Sequence, residues 1–189
     1  MRRLACVLAV CSIALVAVPV AFSKTPKGDS AFGSGVRAPS CTLGCPAGPF
    51  SLNATSGPNG QNASGTFVID FAGYAGFTAN VTCLNISGHQ ATISGQISTG
   101  TGAADPSTFT TDNEPLYFVA VVSDNGTATK KHPSPDQMSL VAWDTQAEWA
   151  DPAINPPGFT LGQLCTDPFA VLGTNMLGLV SGDLTVINN

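Results

Sequence analysis

Asp144, Glu148 and Asp151 lie within one short stretch of the chain, with Trp149 among them. Two carboxyl groups flanking a sugar linkage are what a glycosidase needs, one holding its proton as acid and the other acting as nucleophile or base. Acids this close in sequence are more often solvated, so a carbohydrate-active hydrolase using Glu148 and Asp151 is the alternative reading. The first reading is non-catalytic. An indole in a long loop offers a flat apolar face to a sugar ring, and Trp149, Glu148 and Asp151 are therefore the candidate binding residues. Trp143 and Tyr117 lie in strand-like runs and read as core, and Tyr74 is a further aromatic candidate.

Asp124, Asn125 and Asp136 bracket a second loop and could offer oxygen ligands to calcium, the one cofactor the sequence suggests. The same residues are turn formers, since Asp-Asn-Gly supports left-handed backbone and Pro-Asp opens a strand. Turn chemistry is the simpler reading, because nothing matches the spaced ligands of an EF-hand loop. Hydroxyl nucleophiles fare worse. No Gly-x-Ser-x-Gly elbow occurs, His89 sits in a tight turn and His132 follows Lys130 and Lys131 in a basic loop.

The elements that would position these groups are strands. Gly65–Phe71, Phe77–Cys83 and Ala91–Ile97 alternate apolar and polar residues, with turns between them such as Ser87-Gly88-His89. Period-two alternation marks half-buried antiparallel strands. After Cys83 the parity breaks at Leu84 and Ile86, which predicts a β-bulge near Cys83-Leu84. Asn59-Gly60 predicts a turn with positive φ. Leu116–Ser123 is apolar on both faces and should be a covered central strand, with Asp136–Trp143 returning beside it. Residues 144–168 form a proline-rich stretch too long for an ordinary connection. Val180–Ile187 closes the chain as a final strand. About eight strands and no major helix beyond the N-terminal leader point to an all-β, antiparallel β-sandwich, with a closed antiparallel β-barrel as the alternative.

Composition agrees. Only 10% of the 189 residues are charged, against roughly 25% in ordinary globular proteins, while Gly (20) and Pro (14) are plentiful. The formal charge is −5, and an acidic chain without a large Lys/Arg cluster is a poor partner for nucleic acid. Arg2 and Arg3, the apolar run from Leu4 to Phe22 and the small residues before Lys24 have the form of a signal peptide over residues 1–23. The expected product is a secreted, extracellular protein without stable membrane insertion. A flexible leader would occupy residues 24–34, and a single all-β domain residues 35–189, its long loop at 144–168. Export leaves Cys41, Cys45, Cys83 and Cys165, an even set that suggests two disulfides. Cys41–Cys45 and Cys83–Cys165 are the favoured pairs. A zinc site competes, but the cysteine spacing has no paired knuckle.

The runs V-T-C-L-N-I-S-G-H-Q-A-T-I-S-G, V-V-S-D-N-G, P-D-Q-M-S-L and S-G-D-L-T-V resemble a pattern in uncharacterised secreted bacterial proteins, many of them actinobacterial. They are also similar to domains of the post-COAP type. The resemblance spans roughly residues 50–187 and implies a β domain, with no active-site residue to carry over. The expected role is that of an extracellular surface, matrix or ligand-binding module whose partner is a glycan or other cell-surface component. A self-assembling coat protein is a further alternative, favoured by low charge and exposed strand edges.

Overall fold

The computed structural model describes residues 27–39, 46–109, 114–126, 136–155 and 158–189. The leader over 1–23 and both residues of the expected Cys41–Cys45 pair lie outside them. Nine strands run antiparallel: β1 (Ser30–Arg37), β2 (Gly48–Thr55), β3 (Ser64–Phe71), β4 (Ala75–Ser87), β5 (Gln90–Gly102), β6 (Leu116–Ser123), β7 (Gln137–Ser139), β8 (Ala142–Thr145) and β9 (Met176–Ile187). Their order is β5-β4-β3-β2-β1-β9-β7-β6-β8, and β5 also pairs with β6. That last pairing closes eight strands into a barrel, with β8 as an added strand on β6. The all-β antiparallel expectation holds, and of its two architectures the barrel is the one observed. Because β1 starts at Ser30, residues 30–34 of the expected flexible leader are strand.

Alternation drives the closure. Along β2, Phe50, Leu52 and Ala54 are buried while Ser51, Asn53 and Thr55 are exposed. Phe67, Ile69 and Phe71 of β3 follow the same parity. In β4 the register shifts between Val81 and Cys83, which returns Leu84 to the inside where Cys83 would otherwise have pointed. Asn59 (φ 60°) and Gly60 (φ 78°) turn the chain between β2 and β3. Where β1 meets β9, Gly35 faces Gly182, and a Cβ on Gly182 would stand 2.3 Å from the Gly35 Cα, so neither strand can carry a side chain there.

Eight strands leave an interior just wide enough for side chains to fill. Phe67 stacks on Phe118 with centroids 5.0 Å apart, and Phe77 meets both Phe67 (5.9 Å) and Trp143 (5.8 Å) edge-on. The buried Arg37 guanidinium lies 4.7 Å over the Phe71 ring. The Trp143 indole N–H donates to the Ala103 carbonyl (3.0 Å), so this ring is core, as its strand position indicated.

β7 and β8 are two halves of the expected return strand, both lying along β6. They are broken at Leu140-Val141, and the buried Ser139 repairs the break. Its hydroxyl accepts the Val121 amide (2.8 Å) and donates to the Leu140 carbonyl (2.6 Å). β6 is buried on both faces, and its outer face needs a cover. The proline-rich stretch supplies it through short helices: α2 (Gln146–Ala150), α3 (Leu161–Thr166) and α4 (Phe169–Leu172). A four-residue turn of helix, α1 (Pro106–Phe109), precedes β6. Thr145 caps α2, and Thr160 with Gln163 forms a capping box on α3. Trp149, Phe159, Leu164 and Leu172 then pack on Val119 and Val121 as a second core outside the barrel. Cys83 and Cys165 are disulfide-bonded, their Cα atoms 6.1 Å apart, tying α3 to β4.

Candidate functional site

The stretch with the candidate acids is thus a helical strap clamped over the barrel wall. Trp149 is only 2% exposed, and its indole N–H donates to the Tyr117 carbonyl at 3.3 Å. It fills the outer core and presents no face to a ligand, which corrects its assignment as a binding residue. The two-sided apolar character of residues 116–123 is what requires this cover, since Val119 and Val121 face outward from the barrel.

The carboxylates separate into two groups. Asp151 accepts the Ala153 amide at 2.8 Å and shapes a local turn. Asp144 and Glu148 share a side-chain hydrogen bond instead. Asp144 ends β8, and partial burial pushes its carboxyl up to about 7, helped by the adjoining Glu148. Glu148 moves the other way, held below its ordinary range chiefly by the hydrogen bond from Asp144. The Thr145 hydroxyl also donates to Glu148 Oε2 at 3.2 Å, and Asn155 Nδ2 donates to the Glu148 carbonyl at 2.8 Å. The two groups hold one proton between them, Asp144 carrying it. Groups in direct contact leave no room for a glycosidic linkage, which needs about 5 Å or more between the carboxyls. The expected pair Glu148 and Asp151 does not form, and the pair that forms has the wrong spacing for sugar cleavage.

Asp124, Asn125 and Asp136 do come together, in a different role. Asp136 Oδ1 accepts the Asn125 amide (2.8 Å) and Oδ2 the Leu184 amide (2.7 Å). Asp124 Oδ1 accepts from Gly126 (2.8 Å) and Oδ2 from Val186 (3.1 Å). The Asn125 side-chain oxygen accepts the Ser123 hydroxyl at 3.2 Å. Backbone pairing between β7 and β9 covers only Gln137–Ser139 opposite Met176–Gly178. Beyond it, the two carboxylates take the place of a strand for the β9 amides. These oxygens accept from the backbone N–H groups of the turn and the seam. Among the described residues no three His, Cys, Asp or Glu side chains converge as a metal site.

A fourth grouping appears only once the register is known. Asn53 pairs with Thr66, Thr66 with Asn80 and Asn80 with Gln96, and all four are exposed on the barrel exterior. Phe32, 43% exposed, pairs with Asn53 and continues the row. Beside it Ser51 pairs with Val68 and Val68 with Thr78, with Ser34 across from Ser51. Adjacent strands are about 4.8 Å apart, so Asn53, Thr66, Asn80 and Gln96 form a ladder of uncharged donors and acceptors, with Ser34, Ser51 and Thr78 around the apolar Val68 beside it. Alternation places each of them outward, but nothing in the sequence alone aligns them in one row.

Among the described residues no helix is long and apolar enough to cross a membrane. Comparison with known proteins returns no matching family model, no similar curated protein and no similar solved structure.

Proposed function

We propose that the chain is an exported, non-catalytic β-barrel module that binds a neutral polyhydroxylated polymer, a glycan of the cell surface or matrix, along the exterior of β1 to β5. The row Asn53–Thr66–Asn80–Gln96, ended by Phe32, carries this reading. Amides and hydroxyls at strand spacing match ring hydroxyls in both donor and acceptor capacity, and an exposed phenyl ring supplies an apolar face. The absence of charge from this row suits a neutral polymer over an acidic one. Export is supported by the N-terminal pattern and by the Cys83–Cys165 disulfide, which persists in oxidising compartments. The likeness to secreted post-COAP-type domains belongs to the same proposal. Barrel closure removes most of the free strand edges that a self-assembling coat would use.

The test is co-sedimentation of the mature protein with insoluble cellulose and chitin, both neutral polymers. Retention on at least one polymer is expected, lost in the triple variant N53A/N80A/Q96A with its circular dichroism unchanged. Equal retention of the triple variant, or none for the parent on any polymer, overturns the reading.

A further inference from the structure

A second site, with a different occupant, adjoins the Gln96 end of that row on the same outer wall, where Gln96 pairs with Tyr117. Between α3 and the outer face of β4, β5 and β6 runs a cleft of about 250 Å³. Leu161 and Leu164 line it from α3, Ser94 and Tyr117 from the strands, and the Cys83–Cys165 bridge lies along it. No Asp, Glu, Lys, Arg or His is among its lining residues. The wall is therefore apolar and neutral, with hydroxyl groups as its polar features.

Ser94 is the informative residue. The residue is only 6% exposed, yet its hydroxyl is not among the fully enclosed polar atoms that lack a partner, so what surface it keeps belongs to the cleft it lines. A hydroxyl that opens on a cleft directs its hydrogen-bonding capacity at whatever fills that cleft. Ser94 pairs with Val119 on one side and Cys83 on the other, and neither side chain is a useful partner.

Volume limits the occupant. A cavity of roughly 150 Å³ accepts benzene, so this cleft has room for one ring with a small substituent. We propose that it binds a small neutral amphiphile, a phenol or alcohol with a compact hydrocarbon body. The body lies against Leu161, Leu164 and the disulfide, and the hydroxyl bonds to Ser94 Oγ. A charged ligand is disfavoured because nothing in the lining compensates its charge.

The experiment is an amide-shift NMR titration of the intact, oxidised mature protein with p-cresol and with toluene, which lacks only the hydroxyl. Saturable shifts by p-cresol at Ser94, Tyr117, Leu161 and Leu164, in the millimolar range or tighter, are expected, with toluene binding about tenfold more weakly. Ser94→Ala should bring p-cresol down to the toluene level and leave toluene unchanged. Leu161→Trp, at a half-buried position that tolerates a larger side chain, should block both. The proposal is overturned by shifts that do not saturate, by shifts that map elsewhere, or by Ser94→Ala binding p-cresol as the parent does. The last result would mean that water alone satisfies the serine. None of these outcomes depends on polymer retention, so the two readings fail separately.

Discussion

The Asp136 carboxylate accepts the Leu184 amide at 2.7 Å, 48 residues away in sequence, at the point where β7 has ended and β9 runs on. Two strands with only three paired residues would leave a leak in the barrel wall. Asp136 and Asp124 seal it by accepting the amides of Leu184 and Val186, which an absent strand would otherwise have bound. Asp136→Ala leaves two backbone N–H groups without acceptors and should cost about 2–3 kcal/mol, read as a lower urea midpoint at unchanged slope. Asp124→Ala, whose partners are nearer solvent, should cost less. Calcium at millimolar concentration should not raise the midpoint of the parent, since the oxygens are already engaged.

The Asp144–Glu148 pair makes stability depend on pH. Asp144 has a folded-state pKa raised to about 7, so its contribution is complete at acid pH and is lost as pH rises through 7. Glu148 has a lowered folded-state pKa, so its contribution is present above the ordinary glutamate range and is lost on acidification. The melting temperature should therefore be highest near the ordinary carboxylate range, at about pH 4 to 5, fall by a few degrees as pH rises from there to about 7, and level off above it. Asp144→Asn retains a hydrogen-bond donor toward Glu148 without the titration, and the fall between about pH 5 and 7 should flatten. A parent melting curve that is level from about pH 5 to 7 would contradict this assignment.

The disulfide holds the strap at its far end. Cys83 and Cys165 are 82 residues apart, and closing a loop of that size contributes about 4 kcal/mol in the chain-entropy account. The double variant C83A/C165A should lose stability of that order by urea unfolding. The strap should also become more open to limited proteolysis at α3, whose covalent tie to β4 is this bridge.

How much of this was legible follows from the range of each interaction. Phe67, Ile69 and Phe71 declared their face through period-two alternation, and the parity break after Cys83 announced the bulge, because both are local consequences of the pleat. The first half of β1, residues 30–34, was hidden because Gly33 and Ser34 have the composition of a linker, and only pairing with β2 and β9 on both sides makes it a strand. Barrel closure rests on β5 meeting β6 and β9 meeting β1, contacts that no local pattern encodes. The candidate site was least legible where it depended on burial. Trp149 beside Glu148 and Asp151 looked like an exposed loop aromatic, yet Val119 and Val121, far back in the chain, bury it. The runs V-V-S-D-N-G, P-D-Q-M-S-L and S-G-D-L-T-V, recognisable as turn motifs, converge on the barrel seam through Asp124, Asp136, Leu184 and Val186.

Trp149 separates the two roles its position admits. As a surface platform, its removal would cost binding and little stability. As the centre of the outer core, 2% exposed and hydrogen-bonded to the Tyr117 carbonyl, it should cost about 3–5 kcal/mol when cut to alanine. Leu164→Ala removes a smaller buried side chain from the same core and should cost about 2–4 kcal/mol. The two losses should not add, because either change unseats the shared contact with Val119 and Val121. A double variant barely worse than W149A alone would show that α2 and α3 dock as one cooperative unit. Full additivity would show instead that each helix seats independently on the wall, and in that case the cleft under α3 should survive the loss of Trp149.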